Sequence, residues 1–529
     1  MPPVCSLNSV CKPPLRALAP RTKTISAASL FVVGVVLLII AATVPPYLQR
    51  RLDQAVIDAT VITPESMVKQ ESVFRKFADP LDEDSSPVYS YYYLFHCTNP
   101  DKVMDGSELP NLVEKGPYVY RKLTYRTSVT FHSDEGNRVV RFVPNIVHEF
   151  QPSMTPSGLA ETDMLVLPNY QVIGGYFQYQ KGLLSAAALT TLLSATSDQY
   201  KLFRPFTVKD YLEGLNLINT NPSANSKWDE WYTGEGNPGL LGIYRSWKEN
   251  GVSTSRPSAS FLSFADTRAN IISGTDGTRF HPFMPKCEEA RVAAFVTETG
   301  RVIPLKCDGE YEFKGINLYK FVLTPESLQS KTDNPANEKF NMNYAGAFDV
   351  TSVNFIPMLL TKPHMLDADD LRAKVNGLNP QREIHDIVIG VEPLSGIAMD
   401  ATKQLQVNFV ASPFTYDGTD YFTGMPAASP LPAVWISEQG KIMDRLAKNF
   451  KKSVYGTQKA IKYLLEVGAS LGAIFIVFAF FWILYEFGVA GDKSATTSKV
   501  SSSQGSDFTS GSSRCSIGDV EMQSSPASV

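Results

Sequence analysis

Residues 122–143 read KLTYRTSVTFHSDEGNRVVRFV, and this stretch decides the fold class of the surrounding chain. Its first ten residues alternate, with Leu, Tyr, Thr, Val and Phe at odd positions and Lys, Thr, Arg, Ser and Thr between them. Alternation with period two is typical of a strand that keeps its apolar side chains on one sheet face. A polar turn at 132–137 and an apolar run at 138–143 follow, so the stretch predicts a β-hairpin.

Further strands are predicted on both sides of this hairpin. The aromatic run 89–95 is typical of a buried strand, and residues 290–306 predict a second hairpin that turns at 297–300. Strand-like segments continue to about Phe409, and the 35 prolines and 34 glycines favour many turns. We therefore expect a β-rich body.

A helical insert interrupts this body at about residues 161–215. Residues 181–194 have a helical composition. Thr207 is followed three residues later by Asp210, which is typical of a capped helix start. The overall prediction is an α+β domain in which one helical insert covers a β-rich body.

Two uncharged apolar runs, 25–44 and 467–485, bracket this domain. Each is near the ~20 residues that a helix needs to cross a ~30 Å hydrocarbon layer. A cleaved signal peptide is the alternative for the first run, but the run exceeds the usual ~7–15-residue apolar region of such peptides. We expect an uncleaved signal anchor at 25–44 and a second transmembrane helix at 464–488.

The charges near the first span predict the topology. The leader, residues 1–24, contains Lys and Arg but no acid, which favours a cytosolic N-terminus. Two spans then return the C-terminus to the cytosol, and the Ser-, Gly- and Thr-rich tail at 489–529 is predicted to be disordered. Residues 45–463 would form a lumenal or extracellular domain.

Small residues in the second span allow close helix packing. Gly468 and Gly472 let the two spans pack on each other or on a second copy in a homo-oligomer, and lipid-facing glycines are the alternative. Residues 468–472 also match the esterase pattern G-x-S-x-G. A strand-to-helix elbow cannot form inside a membrane span, so this match predicts no nucleophile.

Composition and motifs give no support for an enzyme or a nucleic-acid-binding protein. The formal net charge is -4, and the six histidines show no metal-binding spacing. The G-x-G-x-x-G string at 234–239 contains Pro238 and is interpreted as a surface loop. We expect no catalytic residues, no metal and no cofactor.

The cysteines divide between the domain and its flanks. Cys287 and Cys307 lie near the open ends of the second predicted hairpin, so antiparallel pairing would bring them together as a disulfide; two buried thiols are the alternative. Cys97 has no evident partner. Cys5 and Cys11, near the basic leader, are candidates for S-palmitoylation, with unmodified thiols as the alternative.

The hexapeptide GPYVYR at 116–121 makes the chain recognisable. Together with FQPS at 150–153, GTDGTRFHPF at 274–283, GLNP at 377–380 and EPLSG at 392–396, it resembles the class B scavenger receptor family. The resemblance covers roughly residues 45–488. Glycine, proline and tyrosine suit a scaffold better than a binding site, so a structural role is assigned to five motif residues: Gly116, Pro117, Tyr118, Tyr120 and Arg121.

The resemblance implies a fold and a function. The implied fold is a twisted antiparallel β-barrel ectodomain with a helical bundle at its apex, here residues 155–215 (the apex segment). An apolar tunnel through the barrel would pass lipid to the bilayer, and ligands would bind the apex. The implied partners are lipids, fatty acids or sterols, lipoprotein particles, or a soluble lysosomal protein. The implied location is the plasma membrane or an endosome or lysosome.

The apex segment supplies the candidate ligand residues. Tyr176, Phe177 and Tyr179 with Lys181 form an aromatic and cationic set that suits amphiphiles, although a helix-bundle core explains the aromatics equally well. Lys201 is the one lysine of the stretch 196–201 and is offset by Asp198. The leading hypothesis is a lipid receptor and conduit. The alternative is a lysosomal or endosomal receptor that carries a soluble hydrolase.

Overall fold

The structure is a computed structural model that describes residues 20–64, 86–194, 201–218, 227–249, 252–255, 266–416 and 418–500. The chain divides into two compact units. One is Arg50–Thr457, and the other consists of the terminal segments Met1–Gln49 and Gln458–Val529. Cys5 and Cys11 lie outside the described residues, so their palmitoylation stays a prediction.

The described elements are mixed helix and strand. The strands are β1 (Val88–Cys97), β2 (Leu112–Asp134), β3 (Asn137–Phe150), β4 (Met164–Pro168), β5 (Phe203–Thr207), β6 (Lys227–Tyr232), β7 (Tyr244–Glu249), β8 (Val252–Ser255), β9 (Arg291–Val296), β10 (Arg301–Phe313), β11 (Ile316–Leu323), β12 (Ala347–Asp349), β13 (Met358–Thr361), β14 (Val388–Glu392), β15 (Ile397–Ala411), β16 (Phe414–Tyr416), β17 (Thr419–Tyr421) and β18 (Ser429–Lys441). The α-helices are α1 (Pro20–Thr60), α2 (Pro100–Met104), α3 (Tyr170–Gln180), α4 (Ala186–Ser194), α5 (Val208–Gly214), α6 (Thr351–Asn354), α7 (Asp369–Arg372), α8 (Arg382–His385), α9 (Asp444–Phe450) and α10 (Gly456–Val500).

A 14-stranded antiparallel sheet forms a nearly closed barrel. The strand order is β8-β7-β6-β3-β2-β1-β18-β15-β14-β11-β10-β9, and β12 and β13 branch from β15. Both predicted hairpins are confirmed, β2 with β3 and β9 with β10. The first one turns at Glu135 and Gly136, which both have a positive φ, as a type I′ hairpin turn requires.

The segment Gly274–Thr275 bridges β7, the second strand from one end of the sheet, and β9, the strand at the other end. The N–H of Tyr244 on β7 donates to the Gly274 carbonyl, and the N–H of Phe295 on β9 donates to the Thr275 carbonyl. A side chain at Gly274 has no room, because a Cβ would lie 2.6 Å from the backbone nitrogen of Phe295. The glycine therefore permits the close backbone approach that closes the barrel.

One central strand was missed by the sequence analysis, which ended the strands at about Phe409. β18 pairs with both β1 and β15 in the middle of the sheet. Its Pro430 and Pro432 argue against a central strand, because proline cannot donate to a ladder. Both prolines lie beyond the register shift at Val407 and Asn408, past the end of the pairing with β1.

The apex segment contains strands as well as helices. β4 pairs with β5 in a separate two-stranded sheet. In sequence, α3 and α4 lie between these two strands, and α5 follows β5. The predicted cap is confirmed, since the Thr207 side chain accepts a hydrogen bond from the Asp210 N–H. The prediction of a purely helical insert is corrected to helices around a short sheet.

Two helical segments are long and apolar enough to cross a membrane: Ser26–Thr60 within α1, and Asp444–Gly488, which runs from α9 through a π-helical turn at Lys451–Tyr455 into α10. The helices that contain them, α1 and α9–α10, include the predicted spans 25–44 and 464–488 and run further. α1 continues through Pro45 and Pro46, and α10 continues to Val500, into the tail that was predicted to be disordered. Extending an existing helix costs much less than nucleating one, which accounts for the extra turns.

The two apolar helices pack on each other through glycines. A Cβ at Gly34 would lie 2.9 Å from the Gly472 carbonyl oxygen, and a Cβ at Gly472 would lie 2.9 Å from the Leu38 side chain. Gly468 faces Ala41 in the same way. Of the three alternatives for Gly468 and Gly472, the structure shows packing within the chain.

Candidate functional site

The aromatic and cationic set predicted on the apex segment separates into two parts. Tyr176 is buried and stacks on Phe414 at 3.9 Å between ring centroids, and Tyr179 packs edge-on against Tyr416 at 5.3 Å. These two tyrosines therefore belong to a small core that α3 forms with the β16–β17 hairpin, rather than to the helix-bundle core of the alternative interpretation.

The remaining two residues of the set and the further candidate Lys201 are more accessible. Phe177 is half-buried, and the exposed Lys181 ammonium lies 5.7 Å from its ring centroid. Lys201 is exposed, and its backbone carbonyl accepts a hydrogen bond from the Asn169 side chain. Phe177 and Lys181 thus remain together.

The motif residues attach the apex segment to the barrel. The Tyr118 hydroxyl donates to Asp163 and the Tyr120 hydroxyl donates to Glu161, both at 2.9 Å. Burial and these carboxylates raise the pKa of both phenols, so both stay protonated donors.

The backbone before these tyrosines leaves no space for side chains. Gly116 has a φ of +149°, and a Cβ there would lie 2.6 Å from the Tyr92 carbonyl oxygen. The Gly116–Pro117 peptide bond is cis. Arg121 is half-buried and pairs in register with Glu149 on β3. These contacts fit the structural role that was assigned to the motif.

The inner face of the barrel can be identified from contacts between distant strands. Lys403 on β15 donates to Glu298, in the turn between β9 and β10, at 2.5 Å. Along the sheet, three strand spacings of about 4.8 Å separate β15 from β10. Side chains so far apart along a curved sheet can meet only across its concave side. Lys403 and Glu298 therefore lie inside the barrel.

A second ion pair lies on the same face. Glu438 is the cross-strand partner of Lys403, and cross-strand partners share a sheet face. The Lys122 ammonium lies 2.6 Å from the Glu438 carboxylate. Alternation places Lys122 on the polar face of its strand without showing where that face points, and the structure turns it inward.

The inward charges retain accessible surface. The side chains of Lys403 and Glu298 are 35% and 45% exposed, and those of Lys122 and Glu438 are 19% and 22% exposed. Leu405 and Ile436, on the same face, are also only half-buried. Exposed surface on an inward face indicates open space inside the barrel. We call Lys122, Glu298, Lys403 and Glu438 the inner charge cluster.

Each acid in the inner charge cluster is held in its ionised form. Enclosure by the surrounding barrel opposes ionisation of Glu298 although the side chain retains accessible surface, but Lys403 outweighs this effect and lowers the pKa of that carboxyl to about 2. Burial also opposes ionisation of Glu438, and Lys122 and Lys403 lower its pKa. The cluster therefore consists of stable ion pairs beside apolar side chains. Within the described residues, no group of three His, Cys, Asp or Glu is arranged to hold a metal ion.

A histidine cluster packs against the outer face of the sheet, next to Trp435. The His364 imidazole lies 2.7 Å from Glu114, which also accepts from the Trp435 indole at 2.9 Å. The Asn379 N–H donates to His364 Nδ1, so Nε2 carries the proton that faces Glu114. His385 stacks on His364 at 4.5 Å between ring centroids.

Acidification is expected to destabilise the folded domain through two buried histidines. His148 and His385 are only 8% and 4% exposed. Burial and Lys122 lower the pKa of His148 to about 4, and burial and His364 lower the pKa of His385 to about 4. Because unfolding restores a pKa near about 6.5, the unfolded chain takes up protons that the folded chain excludes. The free energy of unfolding is therefore unaffected by these two histidines above about pH 6.5, and it declines as the pH falls from about 6.5 towards 4.

The expected loss is about 1–2 kcal/mol for each histidine between pH 7 and pH 5. Thermal unfolding of the full-length protein at pH 7, 6 and 5 measures it, and the His148→Gln and His385→Gln variants should each show a shallower decline. An equal slope in wild type and the double variant would contradict this assignment.

A sequence profile of the CD36 family matches residues 27–483, which is most of the chain. The chain belongs to the CD36 family. Scavenger receptor class B member 1 of Mus musculus is 26% identical over 444 residues, covering 78% of this chain and 83% of that protein. Lysosome membrane protein 2 of Homo sapiens is 24% identical over 469 residues, covering 86% and 94% respectively.

CD36 family membership confirms the resemblance seen in the sequence. With two helices able to cross a membrane, it supports a two-pass integral membrane receptor of the scavenger type. The disulfide between Cys287 and Cys307 is confirmed, with 5.3 Å between the Cα atoms, and Cys97 is a buried free thiol.

The inner charge cluster was missed by sequence reasoning about this CD36-family chain. Its four members lie far apart in the sequence, on β2, β15, β18 and the β9–β10 turn. The sequence feature that could have indicated the cluster was a lysine or an acidic residue within a segment otherwise typical of a strand. Only the strand order shows that these side chains meet.

Proposed function

We propose that this protein is a membrane-anchored receptor that binds lipid or lipoprotein-type ligands at the apex segment and passes lipid through the barrel to the bilayer. The observation that carries the proposal is accessible surface on the inward Leu405 and Ile436 in a nearly closed barrel. Apolar lining in an enclosed space suits acyl or sterol cargo. No catalytic role is proposed.

The proposed topology places both termini in the cytosol and residues 45–463 on the other side of the membrane. Protease protection of a chain tagged at each end measures this arrangement. Tags on opposite sides would contradict it.

Filling the barrel interior should slow lipid transfer. The Ile436→Trp variant adds bulk to the inward face, and we expect the rate of transfer to fall by at least about fivefold, because a closed interior has little room to adapt. The assay is delivery of a fluorescent sterol from donor emulsion particles to vesicles that contain the full-length protein.

The matched control for this variant is Gln439→Trp, which lies three residues along β18 and on the opposite face. It is also half-buried, so it tests the effect of the bulk alone. Unimpaired transfer by a folded Ile436→Trp protein would exclude passage through the interior.

A second candidate function is a lysosomal or endosomal receptor for a soluble hydrolase. The exposed apolar start of α4 favours it, because Leu183 is 63% exposed and the neighbouring Ala186, Ala187 and Ala188 are also exposed. Such a surface suits a protein partner. A steady state confined to endosomes and lysosomes in imaging of a tagged copy would support it, and a plasma-membrane steady state would oppose it.

A further inference from the structure

Arg301 is a buried cation on the inner face of the barrel. It alternates along β10 with Ile303 and Leu305, and it is 3% exposed. Its guanidinium lies 4.9 Å from the ring centroid of Phe348 on β12. The sheet path from β10 to β12 has five strand spacings, or about 24 Å, so the contact again crosses the concave side.

Register places Arg301 on the same face as the inner charge cluster. Leu305 pairs with Leu323, Phe321 pairs with Ile389, and Ile389 pairs with Ala401, two residues from Lys403. Cross-strand partners and alternate residues share a face. Arg301 thus faces the same interior as Lys403.

No carboxylate compensates the charge of Arg301 within the part of the chain that the structure describes. The guanidinium carbon lies 3.7 Å from the Phe340 ring centroid, and Nη1 donates to the Met342 sulfur at 3.1 Å. Glu298, three residues earlier, is committed to Lys403. Burial lowers the pKa of Arg301 to about 9, so the side chain is still cationic at neutral pH.

This environment is incomplete for an arginine. A buried charge is costly unless an opposite charge or strong acceptors compensate it, and the two aromatic rings offset only part of that cost. A thioether is a weak acceptor on a flexible side chain, so Met342 can move aside. The planar guanidinium matches the two oxygens of a carboxylate.

We propose that Arg301 binds the anionic head group of a single-chain amphiphile, a carboxylate or a similar small anion, while the tail extends into the barrel interior. This inference rests on the proposed function, because it requires a barrel interior that admits lipid. It adds selectivity to that function, since neutral lipids of equal chain length gain nothing from the guanidinium.

The test compares two probes that differ only in charge. Full-length protein in detergent micelles is titrated with radiolabelled palmitate, and unlabelled palmitate, methyl palmitate and acetate compete for binding. We expect wild type to prefer palmitate over the ester at least about tenfold, the strength of a charge-assisted hydrogen bond. Acetate should not compete, since it lacks the tail. If acetate displaces labelled palmitate as well as unlabelled palmitate does, Arg301 binds a free anion without a tail, and the proposal is overturned.

Variants separate a binding role from a structural one. Arg301→Met should lower palmitate affinity about tenfold and leave the ester within about twofold, while Arg301→Lys retains part of the preference. The control is Arg268→Met, which removes an exposed arginine paired with Asp266. Arg301→Gln replaces the methionine variant if that protein fails to fold.

The outcomes distinguish the two proposals. A preference for palmitate that survives in folded Arg301→Met or Arg301→Gln protein overturns the role of Arg301 but leaves the lipid conduit standing. Equal affinity of the wild type for palmitate and methyl palmitate would also overturn the role of Arg301 and leave the lipid conduit standing. Failure of wild type to bind either probe counts against the conduit itself.

Discussion

Replacing Gly274 by alanine is expected to lower the free energy of unfolding by about 3 kcal/mol or more. The added Cβ would lie 2.6 Å from the Phe295 nitrogen, 2.7 Å from the Ala294 carbonyl carbon and 2.8 Å from the Ala293 oxygen. All three are backbone atoms of β9, so no rotamer change relieves the clash. The strand must move away, and the hydrogen bonds that join β7 to β9 are then lost.

Thermal unfolding of the full-length protein measures this effect. The matched control is Gly440→Ala on β18, where a Cβ would meet only the Val88 side chain at 3.7 Å, an ordinary contact. The control should unfold within about 1 kcal/mol of wild type. A Gly274→Ala protein as stable as this control would show that the barrel ends are not held together at Gly274.

Removing the disulfide by Cys287→Ala with Cys307→Ala is expected to cost about 3 kcal/mol. The two cysteines are separated by 20 residues, and cross-linking a loop of that length restricts the unfolded chain by about this amount. The bond also joins the entry of β9 to β10, next to the hairpin whose turn carries Glu298. The double variant should therefore unfold at a lower temperature.

The control for the disulfide is Cys97→Ala, which removes a buried free thiol instead. It loses one weak hydrogen bond to Asn99 and should be affected much less. A reductant should lower the unfolding temperature of wild type and of the Cys97 variant but not that of the double variant. Equal sensitivity in all three proteins would argue against a stabilising bridge.

Local patterns in the sequence predicted much of the fold. Period-two alternation around Leu123 predicted the β2–β3 hairpin, and hydrophobic length predicted the two apolar helices. Thr207 predicted its own helix cap. Each of these features depends on residues close together in the chain, so a short window contains the whole physical cause.

Features that depend on distant residues could not be predicted in this way. Alternation separates the two faces of a strand but does not show which one points into a barrel that contains open space. The direction of Lys122 was therefore left open, and Tyr176 looked like a candidate ligand contact. The position of β18 depended on pairing with β1 and β15, which outweighed the prolines near its start.

Glycine contacts between the terminal helices have a practical consequence for protein engineering. Gly34 and Gly472 each lack a side chain where the other helix passes, so the two helices are complementary as a pair. Exchanging one for a foreign membrane anchor would discard half of a matched surface. Chimeric receptors built on this scaffold should transplant both anchors together or neither.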